Sequence, residues 1–201
     1  MALATLTACD LPGWFGPGED PPLPGERISV LSLEQDVAPD PGIADLAVRL
    51  PAPWRNPSWP QAEGFANHAM HHLALGEALK PVWRRDIGDG SSSDTRLLSR
   101  PVVDEGRVFA LDAEGQVGAF EAATGKPIWR IDLTPKDEDS GALGGGLAVS
   151  NGILYATTGY GEVLALNPAG GEIIWKQVLG TPIRVPPAVA EGRVFAISYD
   201  N

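Results

Sequence analysis

The sequence predicts an all-β protein built from the four-stranded blades of a β-propeller, on three observations. Trp83, Trp129 and Trp175 recur every 46 residues. Residues 106–129 and 152–175 align without a gap, and nine of the 24 aligned positions are identical. The chain also holds 24 glycines and 19 prolines in 201 residues, which favours short strands and turns over long helices. A period of about 40–50 residues with short strands indicates a propeller.

The first copy of the repeat divides into four strands separated by turns. Along the third strand, Val117 and Ala119 alternate with Gly118 and Phe120, so we expect each face to contact a neighbouring blade. The four predicted strands are residues 101–103, 107–111, 116–120 and 127–133.

A glycine precedes the fourth strand in both copies. Gly125 and Gly171 come late in their turns, where a positive φ is most often required and glycine adopts it without steric cost. The tryptophan that follows can bury roughly 150–250 Å² between adjacent blades. We therefore interpret both glycines, with Trp83, Trp129 and Trp175, as structural blade-docking residues.

The repeats amount to an incomplete propeller. A third copy starts at residue 186, and residues 81–88 have the pattern of the fourth strand of an earlier blade. Because propellers close with typically about 4–8 blades, we expect an N-terminal part of a longer protein, in which the Trp83 strand completes the last blade. The predicted organisation is a signal remnant (residues 1–8), a Pro/Gly-rich tether and extension with one strand at 27–33 (residues 9–75), and propeller blades (residues 76–201).

The first residues resemble a bacterial lipobox. Leu6, Thr7 and Ala8 are one apolar and two small residues, and they precede Cys9, the single cysteine of the chain. In that interpretation Cys9 is lipidated and anchors the protein to a membrane. Asp10 resembles an inner-membrane retention signal, so the inner and the outer membrane both stay open. The alternative is a cysteine exposed at a frayed terminus.

The formal net charge of −11 argues against two classes of partner. Nucleic-acid binding needs clusters of Lys and Arg, and attraction to an anionic membrane surface needs basic segments. A single cysteine also excludes an intrachain disulfide.

Three further motifs do not predict chemistry. Residues 68–72 contain three histidines, but Ala69 stands where a metalloprotease has glutamate, so we expect a capping helix there. The glycine-rich residues 141–149 lead into a strand and not into the helix that a phosphate loop needs. Residues 135–141 do not match the spacing of a calcium loop, so their carboxylates are expected at a solvated loop tip. We predict no catalytic residue, metal or cofactor.

The pattern Ala119-x-Glu121-x-x-x-Gly125-Lys126-x-x-Trp129 resembles the tryptophan-docking repeat of quinoprotein-type propellers. The second copy departs from it at two positions, where Asn167 and Glu172 replace the acidic residue and the lysine. Two families share this repeat: the periplasmic PQQ-dependent alcohol dehydrogenases, and the outer-membrane protein assembly factors of the BamB type.

Over most of its length the chain is most similar to the alphaproteobacterial BamB family. The resemblance rests on the lipobox and on residues 22–31, 71–92, 96–103 and 141–167. It implies an eight-bladed, non-enzymatic lipoprotein on the periplasmic face of the outer membrane. Such a protein binds the POTRA domains of the barrel subunit BamA and helps to assemble outer-membrane proteins. The resemblance thereby also implies unfolded outer-membrane proteins as a possible second class of partner. A PQQ-dependent alcohol dehydrogenase and a propeller lipoprotein of another function remain the alternatives.

The resemblance also points to a partner-docking loop. In this chain that loop is residues 179–187, Leu-Gly-Thr-Pro-Ile-Arg-Val-Pro-Pro. The family pattern there is an apolar residue near an arginine, which assigns Ile183 and Arg184 as contact residues. The alternative is an ordinary loop between blades with a solvated arginine.

Overall fold

The computed structural model describes residues 39–200 of the chain. Cys9, Asp10 and the strand predicted at residues 27–33 lie outside the described residues. The chain divides into two units, Met1–Val48 and Arg49–Asn201. In the first, the described residues hold one turn of 3-10 helix, Pro41–Ile43, which Asp40 caps by accepting a hydrogen bond from the backbone N–H of Gly42 at 2.8 Å. No helix among residues 39–200 combines the length and the apolar character that a membrane crossing needs.

The second unit is built from antiparallel strands in chain order. Two four-stranded sheets, here called blade 1 and blade 2, are followed by a two-stranded start of a third blade. The strands are β1 (Val102–Asp104), β2 (Arg107–Leu111), β3 (Gln116–Glu121) and β4 (Pro127–Asp132) in blade 1, β5 (Gly145–Ser150), β6 (Ile153–Thr158), β7 (Glu162–Leu166) and β8 (Ile173–Val178) in blade 2, and β9 (Ala188–Ala190) and β10 (Arg193–Phe195) in the third. The predicted all-β class and the four-strand division of the repeat are confirmed.

Equivalent residues of the two blades occupy equivalent positions. Val102 pairs with Phe109, Phe109 with Ala119 and Ala119 with Trp129, and in blade 2 the same row is Ala148, Tyr155, Ala165 and Trp175. The register shifts after Ala119 in blade 1 and after Ala165 in blade 2. The repeat in the sequence is therefore a repeat of strand register.

The core lies between the two blades. Side chains alternate between the two faces of a strand, so each blade has two faces that can be buried. Val117 and Ala119 pack on the blade 2 face that carries Leu164, which is the face opposite to the one that carries their equivalents Val163 and Ala165. Phe109, Val117 and Ala119 of blade 1 are at most 1% exposed, and they pack in one cluster with Leu154 and Leu164 of blade 2. Both faces of β3 are buried along its four central residues, as the alternation predicted.

The extension before the blades is not helical where a capping helix was expected. His68 and His71 have positive φ angles of 54°, which a right-handed helix does not tolerate. Trp54 instead forms a parallel bridge with Leu73 and stacks on Phe65, with ring centroids 6.1 Å apart. The segment from Arg49 onward belongs to the same unit as the blades.

Candidate functional site: the surface between blades

The loop that joins β8 to β9 is held closely against blade 2. Leu179 donates its backbone N–H to the carbonyl of Gly161 at 2.8 Å, and Ile183 donates to the carbonyl of Thr158 at 3.3 Å. The buried hydroxyl of Thr157 donates to the carbonyl of Val185 at 2.8 Å. This loop, residues 179–187, is thus fixed at three points, Leu179, Ile183 and Val185.

The glycine-rich run explains how the loop approaches so closely. A Cβ atom on Gly144 would lie 2.6 Å from the carbonyl oxygen of Ile183, and one on Gly146 would lie 2.5 Å from Cβ of Pro186. Real Cβ atoms do not come this near, so a side chain at either position would displace the loop. As expected from the sequence, the run enters a strand, because β5 begins at Gly145.

The two residues assigned to partner contact have different surroundings. Ile183 is 0% exposed, because the loop folds it into the core, so a partner cannot reach its side chain. Arg184 is exposed, and its guanidinium carbon lies 4.7 Å from the ring centroid of Tyr199. That distance is within cation–π range. The backbone N–H of Tyr199 also donates to the carbonyl of Pro182 at 2.8 Å. Arg184 is the member of the pair that a partner can contact.

An open cleft of about 410 Å³ separates this loop from the loop between β4 and β5. The acidic residues 137–139 lie exposed, in agreement with the predicted solvated tip. The hydroxyl of Tyr160 donates to the carbonyl of Asp139 at 2.6 Å and so ties the acidic loop to blade 2. The cleft is lined by Glu138, Asp139, Ser140, Gly141, Ala142, Gly159, Tyr160, Gly180 and Pro182.

Two of the three docking tryptophans, Trp83 and Trp129, share one geometry. Trp83 donates its indole N–H to the carbonyl of Ala122 at 2.9 Å, and Trp129 donates its own to the carbonyl of Pro168 at 3.0 Å. Each acceptor lies 39 residues after its tryptophan. Trp175 is 40% exposed and lies beside Tyr155, with ring centroids 6.1 Å apart.

Gly125 and Gly171 lie directly beneath these indoles. Their φ angles are 68° and 84°, in the left-handed region that glycine adopts readily. A Cβ atom on Gly125 would be 2.6 Å from the indole of Trp83, and one on Gly171 would be 2.8 Å from the indole of Trp129. Glycine therefore serves two needs at each position, the turn and the close approach of the ring.

The histidine motif has structural contacts. Nδ1 of His72 lies 2.6 Å from the carbonyl oxygen of Pro51, which links two parts of the extension that are 21 residues apart. Within residues 39–200, no group of three or more His, Cys, Asp or Glu side chains is arranged to hold a metal ion.

Tyr199 and Tyr160 belong to this surface and were not singled out from the sequence. Tyr199 lies 15 residues beyond Arg184, and no sequence motif connects the two residues. Tyr160 precedes Gly161 in the turn between β6 and β7, and its aromatic character in a turn is the one signal that was available.

Comparison with known proteins gives one family and a common fold. The family model described as outer membrane protein assembly factor BamB matches residues 77–139 and 113–201. No curated protein sequence gives a significant match.

Among solved structures, the chain is similar to quinohemoprotein alcohol dehydrogenase from Comamonas testosteroni, with 23% identity, a TM-score of 0.57, and 70% of this chain and 23% of that chain covered. A europium-containing methanol dehydrogenase gives 19% identity and a TM-score of 0.55, with 68% and 26% covered. BamB from Moraxella catarrhalis gives 15% identity and a TM-score of 0.44, with 52% and 35% covered. The chain thus spans about a quarter to a third of these proteins, and at such identities the likeness shows the fold alone.

Proposed function

This chain belongs to the family described as outer membrane protein assembly factor BamB, and on that premise we propose that it is a non-enzymatic scaffold of the outer-membrane β-barrel assembly machinery. In this role it binds the POTRA domains of BamA on the periplasmic face of the outer membrane, and Cys9 carries its lipid anchor. The observation that carries the proposal is the family match, whose two segments together cover both complete blades.

The surface between the blades supports a binding role. The loop 179–187 is fixed before any partner arrives, so binding costs little additional ordering of the backbone. Arg184 presents a guanidinium, which can form two parallel hydrogen bonds with one carboxylate. In a chain of net charge −11, such a cation selects an acidic patch on a partner.

The substitution Arg184→Glu tests this role with the purified full-length protein and the isolated POTRA domains. We expect the dissociation constant to rise by about tenfold or more, because a favourable charge contact becomes a repulsive one. Arg130→Glu is the matched control, since it makes the same charge change at an exposed position on β4. Isothermal titration calorimetry at two salt concentrations measures the effect. Equal affinity for both variants, or no binding by the unaltered protein, would contradict the proposal.

The second candidate is a PQQ-dependent alcohol dehydrogenase. The specific observation in its favour is the fold shared with quinohemoprotein alcohol dehydrogenase at a TM-score of 0.57. Adding PQQ and calcium to the full-length protein and following alcohol oxidation with an artificial electron acceptor separates the two candidates. The scaffold gives no turnover above the cofactor alone, whereas the enzyme does.

A further inference from the structure

A short segment before the blades contacts one equivalent residue in each of three successive blades. We call residues 59–61, Trp-Pro-Gln, the inner strap. Its partners are Val103 in β1, Val149 in β5 and Val189 in β9, and each of these precedes a turn glycine by three residues. Strands β1, β5 and β9 are the first strands of their sheets, and β5 contacts both of the others. The strap therefore crosses the inner edges of the blades.

At the first two blades the strap uses its backbone. Trp59 and Val103 exchange two hydrogen bonds, at 2.7 and 2.8 Å, and so form an antiparallel bridge. Val149 donates its N–H to the carbonyl of Pro60 at 2.7 Å. Proline has no N–H, so the strap makes one bond to Val149 where it makes two to Val103.

At the third blade the strap uses a side chain. The backbone N–H and carbonyl of Gln61 are already paired with Gly64, at 3.0 and 2.9 Å, in a tight turn. Its side-chain amide donates to the carbonyl of Val189 at 2.7 Å and accepts from the N–H of Val189 at 3.2 Å. Gln61 is only 8% exposed. Its side-chain amide makes with Val189 the two hydrogen bonds that the backbone of Trp59 makes with Val103.

These contacts occupy groups that a strand edge otherwise leaves open. An unpaired edge offers its N–H and carbonyl groups to any extended chain, and proteins commonly cover such edges. The N–H groups of all three valines donate to the strap, and the carbonyls of Val103 and Val189 accept hydrogen bonds from it. We propose that the inner strap blocks the inner edges of three successive blades, so that an extended polypeptide cannot add a strand there.

Hydrogen exchange in the full-length protein tests whether the strap acts as one unit. Gln61→Met keeps the size of the side chain and removes both bonds to Val189. We expect amide exchange at Val189 to accelerate about tenfold, the effect of losing about one net hydrogen bond. If the strap is one unit, exchange at Val149 and Val103 rises as well. Gln177→Met, on the exposed strand β8, is the control with the same chemical change. Unchanged exchange within β7 shows that the blades remain folded.

A second measurement tests the blocking itself. A fluorescent eight-residue peptide of alternating Val and Thr serves as the extended chain, and fluorescence anisotropy follows its binding. We expect Gln61→Met to bind the peptide several-fold more tightly than the unaltered protein and the Gln177→Met control. The proposal is overturned if acceleration is confined to Val189, or if all three proteins bind the peptide equally.

Discussion

Trp83 and Trp129 make the same docking contact from different backbones. Trp129 lies in β4 and pairs with Ala119, whereas the segment that carries Trp83 is in no sheet among residues 39–200. Both indoles nevertheless lie on a glycine of positive φ, and both donate to a carbonyl 39 residues later. The same docking geometry is therefore present at both sites, although only the Trp129 segment is paired in a sheet within residues 39–200.

The turn beneath each indole shows which of its residues matter. Gly125 donates its N–H to the carbonyl of Glu121, and Gly171 donates to the carbonyl of Asn167, both at 2.8 Å. The side chains at those two acceptor positions differ, yet the turn is the same. The backbone and the glycine form the turn, and the acidic residue of the repeat pattern is dispensable for it.

Truncation of the indole is expected to give the largest difference in the free energy of unfolding between the two docking sites. Trp129→Ala removes packing against the interblade cluster and the bond to Pro168, and it should lower the free energy of unfolding by about 3 kcal/mol. Trp83→Ala should cost less, since its segment can detach while the sheets remain paired. Chemical denaturation followed by far-ultraviolet circular dichroism measures both. Equal losses would mean that the Trp83 segment is as firmly integrated as β4.

Substitution of the glycines is expected to have the next largest effect. Gly171→Ala adds backbone strain and a contact with the indole of a paired strand, so we expect a loss of about 2–3 kcal/mol. Gly125→Ala adds the same strain, but the Trp83 segment can move away, so the loss should be about 1 kcal/mol.

A third glycine isolates the strain. Gly152 has a φ of 72°, and nothing lies within 4 Å of the position where its Cβ would be. Gly152→Ala therefore reports the cost of positive φ alone, and thermal denaturation of the three variants gives the comparison. If Gly171→Ala and Gly152→Ala lower the melting temperature equally, the contact of the added Cβ with the indole contributes nothing to the loss of stability.

The sequence was most informative where the structure repeats locally. Alternation and turn glycines predicted the strands of both blades, since each strand pairs with a neighbour only a few residues away. Contacts between distant residues were missed. Gln61 and Val189 are 128 residues apart, and no sequence feature near Gln61 predicts that its side chain bonds to the third blade. The resemblance assigns Ile183 to partner contact, because the family pattern in this loop is an apolar residue near an arginine, whereas the structure buries its side chain. The glycines facing that loop, which allow it to pack closely, were the signal that it is inserted into the core.

The smallest expected effect concerns an interaction that only the first docking site has. The side-chain Nε of Arg85 donates to the carbonyl of Gly125 at 2.8 Å, whereas the equivalent residue after Trp129 is Ile131, which has no donor in its side chain. Arg85→Leu should therefore lower stability by about 0.5–1 kcal/mol, the net contribution of a hydrogen bond that is partly exposed to water. Because the Trp83 segment has no sheet partner among residues 39–200, we expect this loss to accelerate amide exchange locally, over residues 81–88, while exchange in β4 is unchanged. Arg84→Leu, at the exposed neighbouring position, is the control. If the two variants exchange alike, the bond from Arg85 does not hold this segment, and the indole of Trp83 alone accounts for its docking.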